Sequence, residues 1–319
     1  MKPAVLALVG PTGSGKTATA IRICKELNAE IVSMDSMQVY RGMDIGTAKP
    51  TKEELASAPH HMIDIAEPDT LYTVSMYRQQ AADVIHDILQ RGKRPLLVGG
   101  TGLYLNAISY EMQLGENGAD HELRQKLNRI ALEPNGPQIL HRKLAQVDPF
   151  SAEKLHPNDV RRVIRALEIY ESSGKTKSEC SSEQRQEGEF HVLVYGLSLP
   201  REQMYARINQ RVDEMVAQGL IDEVKALLAR GIEPRKEGGA MQAIGYKEIV
   251  SALRGEISLA DAIALIKQGS RRYAKRQWTW FRHDPRTKWF DWSEYQTRES
   301  LYKALISEIQ HDLSVYESE

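Results

Sequence analysis

The sequence predicts an α/β fold in which helices cover a parallel sheet and a helical segment is inserted into the chain. Strand-like apolar runs recur at Val5–Val9, Glu30–Ser33 and Pro95–Val98, and segments of helical period separate them. From Leu114 to Glu189 the strand signals stop, and clusters of turn residues separate helical stretches. We therefore expect a sheet-based core that is interrupted by one helical region.

A phosphate-binding loop follows the first predicted strand directly. Residues 10–17 match G-x-x-x-x-G-K-T between a strand and an amphipathic helix, the order that a P-loop requires. Glycines let the backbone curl until its N–H groups face one anion, and the helix adds its positive end. Lys16 is expected to hold the terminal phosphates, and the Thr17 hydroxyl is expected to sit on Mg²⁺. The predicted phosphate-binding residues are Gly10, Pro11, Thr12, Gly13, Ser14, Gly15, Lys16 and Thr17.

The chain returns to the core after the helical region. The sequence predicts a strand at Phe190–Leu199 and one long helix with an apolar stripe at Arg201–Arg230. We expect residues 1–113 and 190–319 to form the catalytic core, and residues 114–189 to form the helical insertion.

Three loops are expected to meet at the carboxyl edge of the sheet, namely Gly10–Thr17, Asp35–Tyr40 and Gly99–Thr101. A carboxylate such as Asp35 beside a phosphate site can accept a proton from a nucleophile, which is a hydroxyl in small-molecule kinases and an amine in other transferases. Its alternative role is to cap a following helix. The glycines around Thr101 replace the acidic residue usual in nucleotide hydrolases, which weakens an ATPase or GTPase reading. They suit close approach to a ligand or a simple turn.

Composition limits the class of protein. The chain has 319 residues, enough for one large α/β domain or two smaller ones. No stretch is apolar enough to span a membrane, and Met1 leads almost directly into the first strand, so we expect no signal peptide. The two cysteines, Cys24 and Cys180, form neither a disulfide framework nor a metal-ligand pattern. We expect a cytoplasmic, reduced protein in which Cys24 is a core residue.

Charge is distributed unevenly. The formal net charge is −1, but residues 271–288 contain seven Lys or Arg and a single acid, Asp284, with Trp278, Trp280 and Phe281 among them. Such a segment can bind phosphates and stack bases of a nucleic acid. Equally, it can be a helix with a buried aromatic side and a solvated basic side. Both interpretations remain open at this point.

The chain resembles the tRNA dimethylallyltransferases, also called tRNA isopentenyltransferases. The resemblance covers nearly the whole chain in one order, and it rests on the following motifs: residues 10–17, 35–40, 42–50, 59–61 with Asp64, 97–101, 156–159, 207–211, Gly245-Tyr246, 273–277 and 279–282. It implies a P-loop nucleoside triphosphate hydrolase-like, kinase-like fold with a helical insertion. It also implies that the P-loop binds dimethylallyl diphosphate, with Mg²⁺, and that the dimethylallyl group moves to N6 of the adenine on the 3′ side of the anticodon.

The resemblance assigns roles to individual residues. Asp35 would be the base that accepts the amine proton, Arg211 would contact the reacting region, and Thr101 would help to hold the adenine. The residues implied to contact tRNA are Asp35, Ser36, Met37, Gln38, Thr101, Arg124, Asp159, Val160, Arg161, Arg162 and Val163. Lys275, Arg276 and Arg282 of the basic segment join them as expected phosphate contacts.

Other readings of these residues remain possible. Arg161, Arg162 and Arg165 fit phosphate binding, but they could instead pair with Glu168 along one helix. Arg207 could reach the reactive site or be an ordinary surface cation. His60 and His61 lack metal-ligand spacing and are interpreted as structural.

Three classes of function are compatible with parts of this pattern. A tRNA prenyltransferase agrees with all of it, and it would act on dimethylallyl diphosphate and the tRNA anticodon stem-loop as a monomer without a membrane. The P-loop and Asp35 alone would also fit a small-molecule kinase. A non-enzymatic RNA-binding protein leaves both unexplained. An adenylate isopentenyltransferase shares the P-loop chemistry, but the Arg-rich insertion favours tRNA over a free nucleotide.

Overall fold

The structure of the protein, a computed structural model, describes residues 1–111, 121–176, 178–179, 186–235 and 239–318. Its sheet is parallel and has the strand order β3-β2-β4-β1-β5-β6. The strands are β1 Ala4–Val9, β2 Ala29–Met34, β3 His60–His61, β4 Arg94–Gly99, β5 His191–Ser198 and β6 Lys288–Asp291. The predicted α/β fold with a parallel sheet is thus confirmed, and β3 and β6 are additions that the sequence did not predict.

Helices cover both faces of the sheet, which is why its central strand is apolar throughout. Val5, Ala7 and Val9 of β1 face one core, and Leu6 and Leu8 face the other. The helices before the insertion are α1 Lys16–Leu27, α2 Lys52–Ser57, α3 Val74–Gln90 and α4 Gly102–Ser109. Those after it are α9 Arg201–Ala217, α10 Leu220–Ala229, α11 Tyr246–Leu253, α12 Leu259–Arg282 and α13 Arg298–Ser318.

The single helix predicted over Arg201–Arg230 is wrong, because two helices, α9 and α10, occupy this segment. The chain breaks at Gly219, whose φ of 106° lies in the left-handed region. The apolar stripe continues across the break, with Val212 before it and Val224 after it in one buried cluster. Periodicity alone therefore did not reveal the turn.

The chain divides into two compact units, Met1–Ser109 with Gly188–Glu319, and Tyr110–Glu187. The second unit starts four residues before the predicted insertion and ends two residues before its predicted end. It contains α5 His121–Leu132, α6 Gly136–Val147, α7 Pro149–Lys154 and α8 Val160–Ser173. This unit has a separate hydrophobic core, which includes Leu127, Leu140, Leu144, Val163 and Leu167.

Two further sequence predictions concern particular positions. Cys24 is buried in α1, as expected for a core residue. Cys180 and residues 114–120 of the predicted insertion lie outside the described residues. Within the described ranges, no helix is both long and apolar enough to cross a membrane.

Candidate active site

The loop between β1 and α1 is curled as a phosphate-binding loop must be. Gly10, Gly13 and Gly15 have φ values of 147°, 82° and 89°, which side chains with a Cβ rarely adopt. The Ser14 hydroxyl is buried and has no hydrogen-bond partner within the described part of the chain. Because buried hydroxyls are normally bonded, this loop has an unused polar group for a ligand.

Lys16 folds back over the loop. Its Nζ donates to the carbonyl oxygens of Gly10 and Pro11, each at 2.9 Å. Burial, reinforced by the Arg211 guanidinium and opposed by the Asp35 carboxylate, lowers the pKa of Lys16 to about 8. An anion bound in the loop would favour the charged ammonium and restore its pKa.

Arg211 reaches the loop from α9. Its Nη1 lies 3.4 Å from the Thr12 hydroxyl, and burial lowers its pKa against the raising effect of Asp35. Arg207, one helical turn earlier, has an exposed side chain next to Gly13, with its Cβ 3.9 Å from the position that a Cβ on Gly13 would take. Arg211 therefore lies within hydrogen-bonding distance of a loop hydroxyl.

Asp35 follows β2 and faces the same loop. Its Oδ1 accepts the N–H of Met37 at 2.9 Å and of Gln38 at 3.4 Å. These bonds close an Asx turn, and since turns instead of a helix follow, a helix-capping role is wrong. Burial raises the pKa of Asp35, while the two N–H donors and the charges of Lys16 and Arg211 lower it. A carboxylate with a raised pKa beside two cations is suited to accept a proton.

Thr101 connects the segment after β4 to the end of β2 and the loop that follows it. Its N–H donates to the Met34 carbonyl at 3.1 Å, and its Oγ1 accepts the N–H of Ser36 at 3.2 Å. The Asp35 and Thr101 loops are therefore bonded to each other, as their placement on adjacent strands predicted.

The glycines beside Thr101 are close to the protein's own side chains. A Cβ on Gly100 would lie 1.8 Å from Nε2 of Gln277, and one on Gly102 would lie 2.0 Å from Nε1 of Trp280. These glycines therefore allow α12 to approach. That they also allow a ligand to approach stays a prediction.

Glu223 of α10 stabilises the loop at residues 44–48, which in turn contacts Gln38 of the Asp35 loop. The Glu223 carboxylate accepts the N–H groups of Asp44, Ile45 and Gly46 at 2.8–3.1 Å. The loop that it holds offers the carbonyl oxygens of residues 47 and 48 to Nε2 of Gln38, at 3.3 and 3.1 Å. The motif at residues 42–50 thus orients Gln38 next to Asp35.

Sequence reasoning missed several residues that build this site. Gln277 accepts the N–H of Thr12 at 2.9 Å, and Trp292 donates its indole N–H to the Ser14 carbonyl at 2.7 Å. Burial and the Asp35 charge raise the pKa of Tyr273 to about 12, against hydrogen bonds from Thr101 and Gln277. A signal was available for Gln277, because it is a polar residue on the apolar stripe of α12.

The described residues contain no group of three or more His, Cys, Asp or Glu side chains that could hold a metal ion. Mg²⁺ is usually bound through few protein ligands together with substrate phosphates. Thr17, partly buried at the start of α1 directly after the loop, offers a hydroxyl oxygen of the kind that Mg²⁺ accepts. The donor set therefore fits an ion that arrives with a diphosphate.

Comparisons with known proteins agree with this geometry. The family model described as IPP transferase matches residues 38–284, and a second one, described as isopentenyl transferase, matches residues 3–68. The chain belongs to the IPP transferase family. A tRNA dimethylallyltransferase of Anoxybacillus flavithermus is 47% identical over 307 residues, which are 96% of this chain and 95% of the relative. Another, of Thermoanaerobacter sp. strain X514, is 50% identical over 305 residues, 95% and 96% of the two chains.

Solved structures of IPP transferases have the same fold. A tRNA isopentenylpyrophosphate transferase of Bacillus halodurans superposes with a TM-score of 0.74 at 43% identity and covers 100% of this chain and 99% of its own. A eukaryotic dimethylallyltransferase seen acting on tRNA has a TM-score of 0.78 at 32% identity, covering 91% of this chain and 74% of its own. The P-loop nucleoside triphosphate hydrolase-like, kinase-like fold class is thereby confirmed.

Within this IPP transferase, Arg124 of the insertion unit has a structural partner. Its guanidinium binds both carboxylate oxygens of Glu168, at 2.5 and 2.7 Å, and that carboxylate is 4% exposed. Arg165 also pairs with Glu168, at 3.3 Å. The pairing considered for the α8 arginines therefore holds for Arg165, and Arg124 contributes a second cation from α5.

Arg161 and Arg162 do not take part in that pairing. Both side chains are exposed at the start of α8, and the contact recorded for Arg162 is a surface ion pair with Asp159 at 3.2 Å. Val163, two residues after Arg161, is buried in the core of the unit. The segment at residues 159–163, which the resemblance implies contacts tRNA, thus has a buried side chain, Val163, and two exposed cations, Arg161 and Arg162.

The basic segment at 271–288 contains both predicted features. Ala274, Gln277 and Phe281 form the buried side of α12, whereas the expected phosphate contacts Lys275, Arg276 and Arg282 are exposed. Trp280 is 47% exposed on the same helix. The two interpretations are therefore compatible, since the helix has a buried stripe and a solvated basic face with an accessible indole.

His60 and His61 form the short strand β3. Nε2 of His61 lies 2.7 Å from Glu30, and Nδ1 of His60 lies 2.8 Å from the Ala58 carbonyl oxygen. Both histidines therefore have protein partners, in agreement with the structural role expected for them.

Proposed function

We propose that this protein transfers the dimethylallyl group of dimethylallyl diphosphate to N6 of the adenine on the 3′ side of the anticodon, in tRNAs that read codons beginning with U. The products are N6-isopentenyladenine in tRNA and diphosphate. The observation that carries the proposal is the meeting of a P-loop with an unbonded buried hydroxyl, two partly buried cations and the Asp35 carboxylate. The chain's relatives are named for this reaction.

The acceptor side requires a base. The exocyclic amine of adenine is a weak nucleophile because its lone pair is delocalised into the ring. Asp35 takes the proton as the new C–N bond forms, and its Oδ1 is oriented for this by two backbone N–H groups. Thr101 and Gln38 lie beside Asp35 and are hydrogen-bonded to the same loops. Their side chains hold the target adenine.

The donor side requires stabilisation of a leaving diphosphate. Negative charge builds on the bridging oxygen as the allylic C–O bond breaks, and fixed cations and N–H donors lower the energy of that state. Lys16, Arg211 and the amides of Gly13 and residues 15–17 supply them. Mg²⁺ held by Thr17 and the diphosphate oxygens would add a further positive charge. The allylic carbon then faces the amine, and no proton is needed by the leaving group.

The tRNA side rests on charge and exposure. Arg161, Arg162 and the basic face of α12 are accessible to phosphates, and unpaired anticodon-loop bases can enter a protein site with little loss of stacking. The eukaryotic relative acts on tRNA. We further propose that the enzyme works as a monomer in the cytoplasm, where its tRNA substrates are found.

Incubation with labelled dimethylallyl diphosphate, Mg²⁺ and bulk tRNA from a strain lacking the modification tests the proposal. Label should appear in N6-isopentenyladenosine after digestion of the tRNA, and the Asp35→Asn variant should label the tRNA at least about 10²-fold more slowly. An anticodon stem-loop with guanine in place of the target adenine is the matched substrate control. Label in free AMP would instead indicate an adenylate isopentenyltransferase, and phosphate transfer from ATP to a hydroxyl would indicate a kinase.

A further inference from the structure

Gln277 connects two loops from a buried position on α12. Its Oε1 accepts the N–H of Thr12 at 2.9 Å, and its Nε2 donates to the Gly100 carbonyl at 3.1 Å. One amide side chain therefore bonds to the loop after β1 and to the loop after β4. Because one partner is a donor and the other an acceptor, only one orientation of the amide satisfies both.

The two loops lead to opposite sides of the proposed reaction. Thr12 belongs to the diphosphate loop, and its hydroxyl lies 3.4 Å from Arg211. Gly100 precedes Thr101, whose Oγ1 accepts the N–H of Ser36 next to the base. Hydrogen bonds of Gln277 therefore connect the diphosphate loop to Gly100, and the next residue, Thr101, is hydrogen-bonded to the loop that contains Asp35.

The Gln277 amide packs directly against the backbone of Gly100, and Tyr273 lies one turn earlier on α12. A Cβ on Gly100 would lie 1.8 Å from Nε2 and 2.9 Å from the amide carbon of Gln277. Glycine at position 100 is therefore the residue that permits this contact.

We propose that Gln277 is a positioning residue that sets the separation between the departing diphosphate and the adenine amine. The proposal rests on the function proposed above. Gln277 acts through Thr12 and Gly100 and does not touch either substrate. Since reaction rates fall by about 10²-fold when reacting groups are misplaced by about 1 Å, loss of this link should slow the chemical step more than it weakens binding.

Gln277→Met tests this, because methionine has a similar length and makes neither hydrogen bond. The kcat for transfer to the anticodon stem-loop should fall by about 10- to 100-fold, while KM for each substrate changes less than about threefold. Gln268→Met is the matched control, since Gln268 is exposed on the same helix, and its kcat should equal that of wild type. Thermal unfolding of both variants reports any general loss of structure.

Gly100→Ala provides an independent variant that keeps Gln277 and displaces it. It should lower kcat to a similar extent, and the double variant with Gln277→Met should be no slower than the slower single variant. Multiplicative losses, a wild-type kcat in Gln277→Met, or a loss confined to KM would each overturn the proposal. If Gln277→Met does not fold, a wild-type kcat in Gly100→Ala overturns it. Failure of the wild type to modify tRNA would instead contradict the proposed function.

Discussion

Asp35 shows how one side chain receives its chemistry from its surroundings. Burial raises the pKa of its carboxyl group, while the N–H donors of Met37 and Gln38 and the charges of Lys16 and Arg211 lower it. The balance matters because a base must be unprotonated at neutral pH and still bind a proton during the reaction. The position of Asp35 in the sequence indicated its role as a base. The two cations that lower its pKa, Lys16 and Arg211, belong to the P-loop and to α9.

Replacement of Asp35 by Asn separates the base from the turn. Asparagine can still accept the N–H groups of Met37 and Gln38 but cannot take up a proton, so the single-turnover rate should fall by about 10²- to 10⁴-fold. The affinities for dimethylallyl diphosphate and tRNA should stay near those of wild type. A rate within threefold of wild type would leave Asp35 with a structural role alone.

Lys16 makes diphosphate binding depend on pH. Its pKa in the free protein is lowered to about 8, so above that pH the amine is neutral before the ligand arrives. The affinity for dimethylallyl diphosphate, measured by calorimetry, should therefore fall by up to about tenfold per pH unit above pH 8. Proton uptake should accompany binding there. Lys16→Arg, which stays charged, should show neither effect, and a flat wild-type profile to pH 9.5 would contradict the assignment.

At the scale of elements, α8 presents two kinds of arginine. Arg165 pairs with buried Glu168, whereas Arg161 and Arg162 face solvent one turn earlier. The pairing with Glu168 that was considered for all three arginines is wrong for Arg161 and Arg162, which lie seven and six residues before it, whereas Arg165 has the i,i+3 spacing of a helical pair. The second cation on Glu168, Arg124, lies on another helix.

Loss of Arg161 and Arg162 should weaken tRNA binding through its salt dependence. Each phosphate contact contributes about 0.7 to 0.9 to the slope of log K against log salt, so the double Ala variant should flatten the slope by roughly one to two units. Fluorescence anisotropy with an anticodon stem-loop at several salt concentrations measures it. Arg142→Ala with Lys143→Ala removes the same charge from exposed positions of α6. If both double variants flatten the slope equally, net charge and not the α8 site explains the effect.

A buried ionic cluster ties β2 to its neighbours. The Glu30 carboxylate, 3% exposed, accepts hydrogen bonds from Arg91 and Lys93 and lies 2.7 Å from His61. The bonds from Arg91, followed by those from Lys93 and His61, hold the pKa of Glu30 well below its usual value despite burial. A single acidic residue at the start of a strand did not indicate this role.

Glu30→Gln should lower the free energy of unfolding by about 1–3 kcal/mol at pH 7, because Arg91 and Lys93 lose their shared negative partner. The folded-state pKa is lowered, so the wild-type contribution is complete above the unfolded value of about 4.3 and is lost as pH falls through the folded-state pKa. Urea denaturation should thus show a smaller difference at pH 3. Glu26→Gln, at an exposed i,i+4 pair with Arg22, should change stability by less than about 0.5 kcal/mol.

For the whole molecule, the division into two units predicts where a small ligand acts. Dimethylallyl diphosphate should protect amides of the P-loop, the Asp35 loop and α9 from hydrogen exchange, because these elements form the proposed site. Residues 121–173 should exchange as before. At about 100 times its Kd the ligand should stabilise the folded state by about 2.7 kcal/mol. Protection confined to the insertion unit would contradict the P-loop assignment.

The sequence alone determined what depends on neighbouring residues. A strand, a glycine-rich turn and a helix N-terminus are contiguous, so the sequence predicted the P-loop and its chemistry. The rule that loops after parallel strands meet at one edge of the sheet placed Asp35 and Thr101 together. The short strands β3 and β6 escaped prediction, because two and four residues carry too little periodicity. The break at Gly219 escaped because the apolar stripe continues through it.

Only the tertiary structure decided which distant side chains complete the site. Gln277 and Thr12 are 265 positions apart, Arg211 and Thr12 are 199 apart, and Arg124 and Glu168 are 44 apart. Local pattern cannot pair such residues, because their contact depends on how each helix packs and turns against the sheet or against its neighbours. A buried polar residue on an apolar stripe marks that a partner exists, and the fold alone identifies the partner.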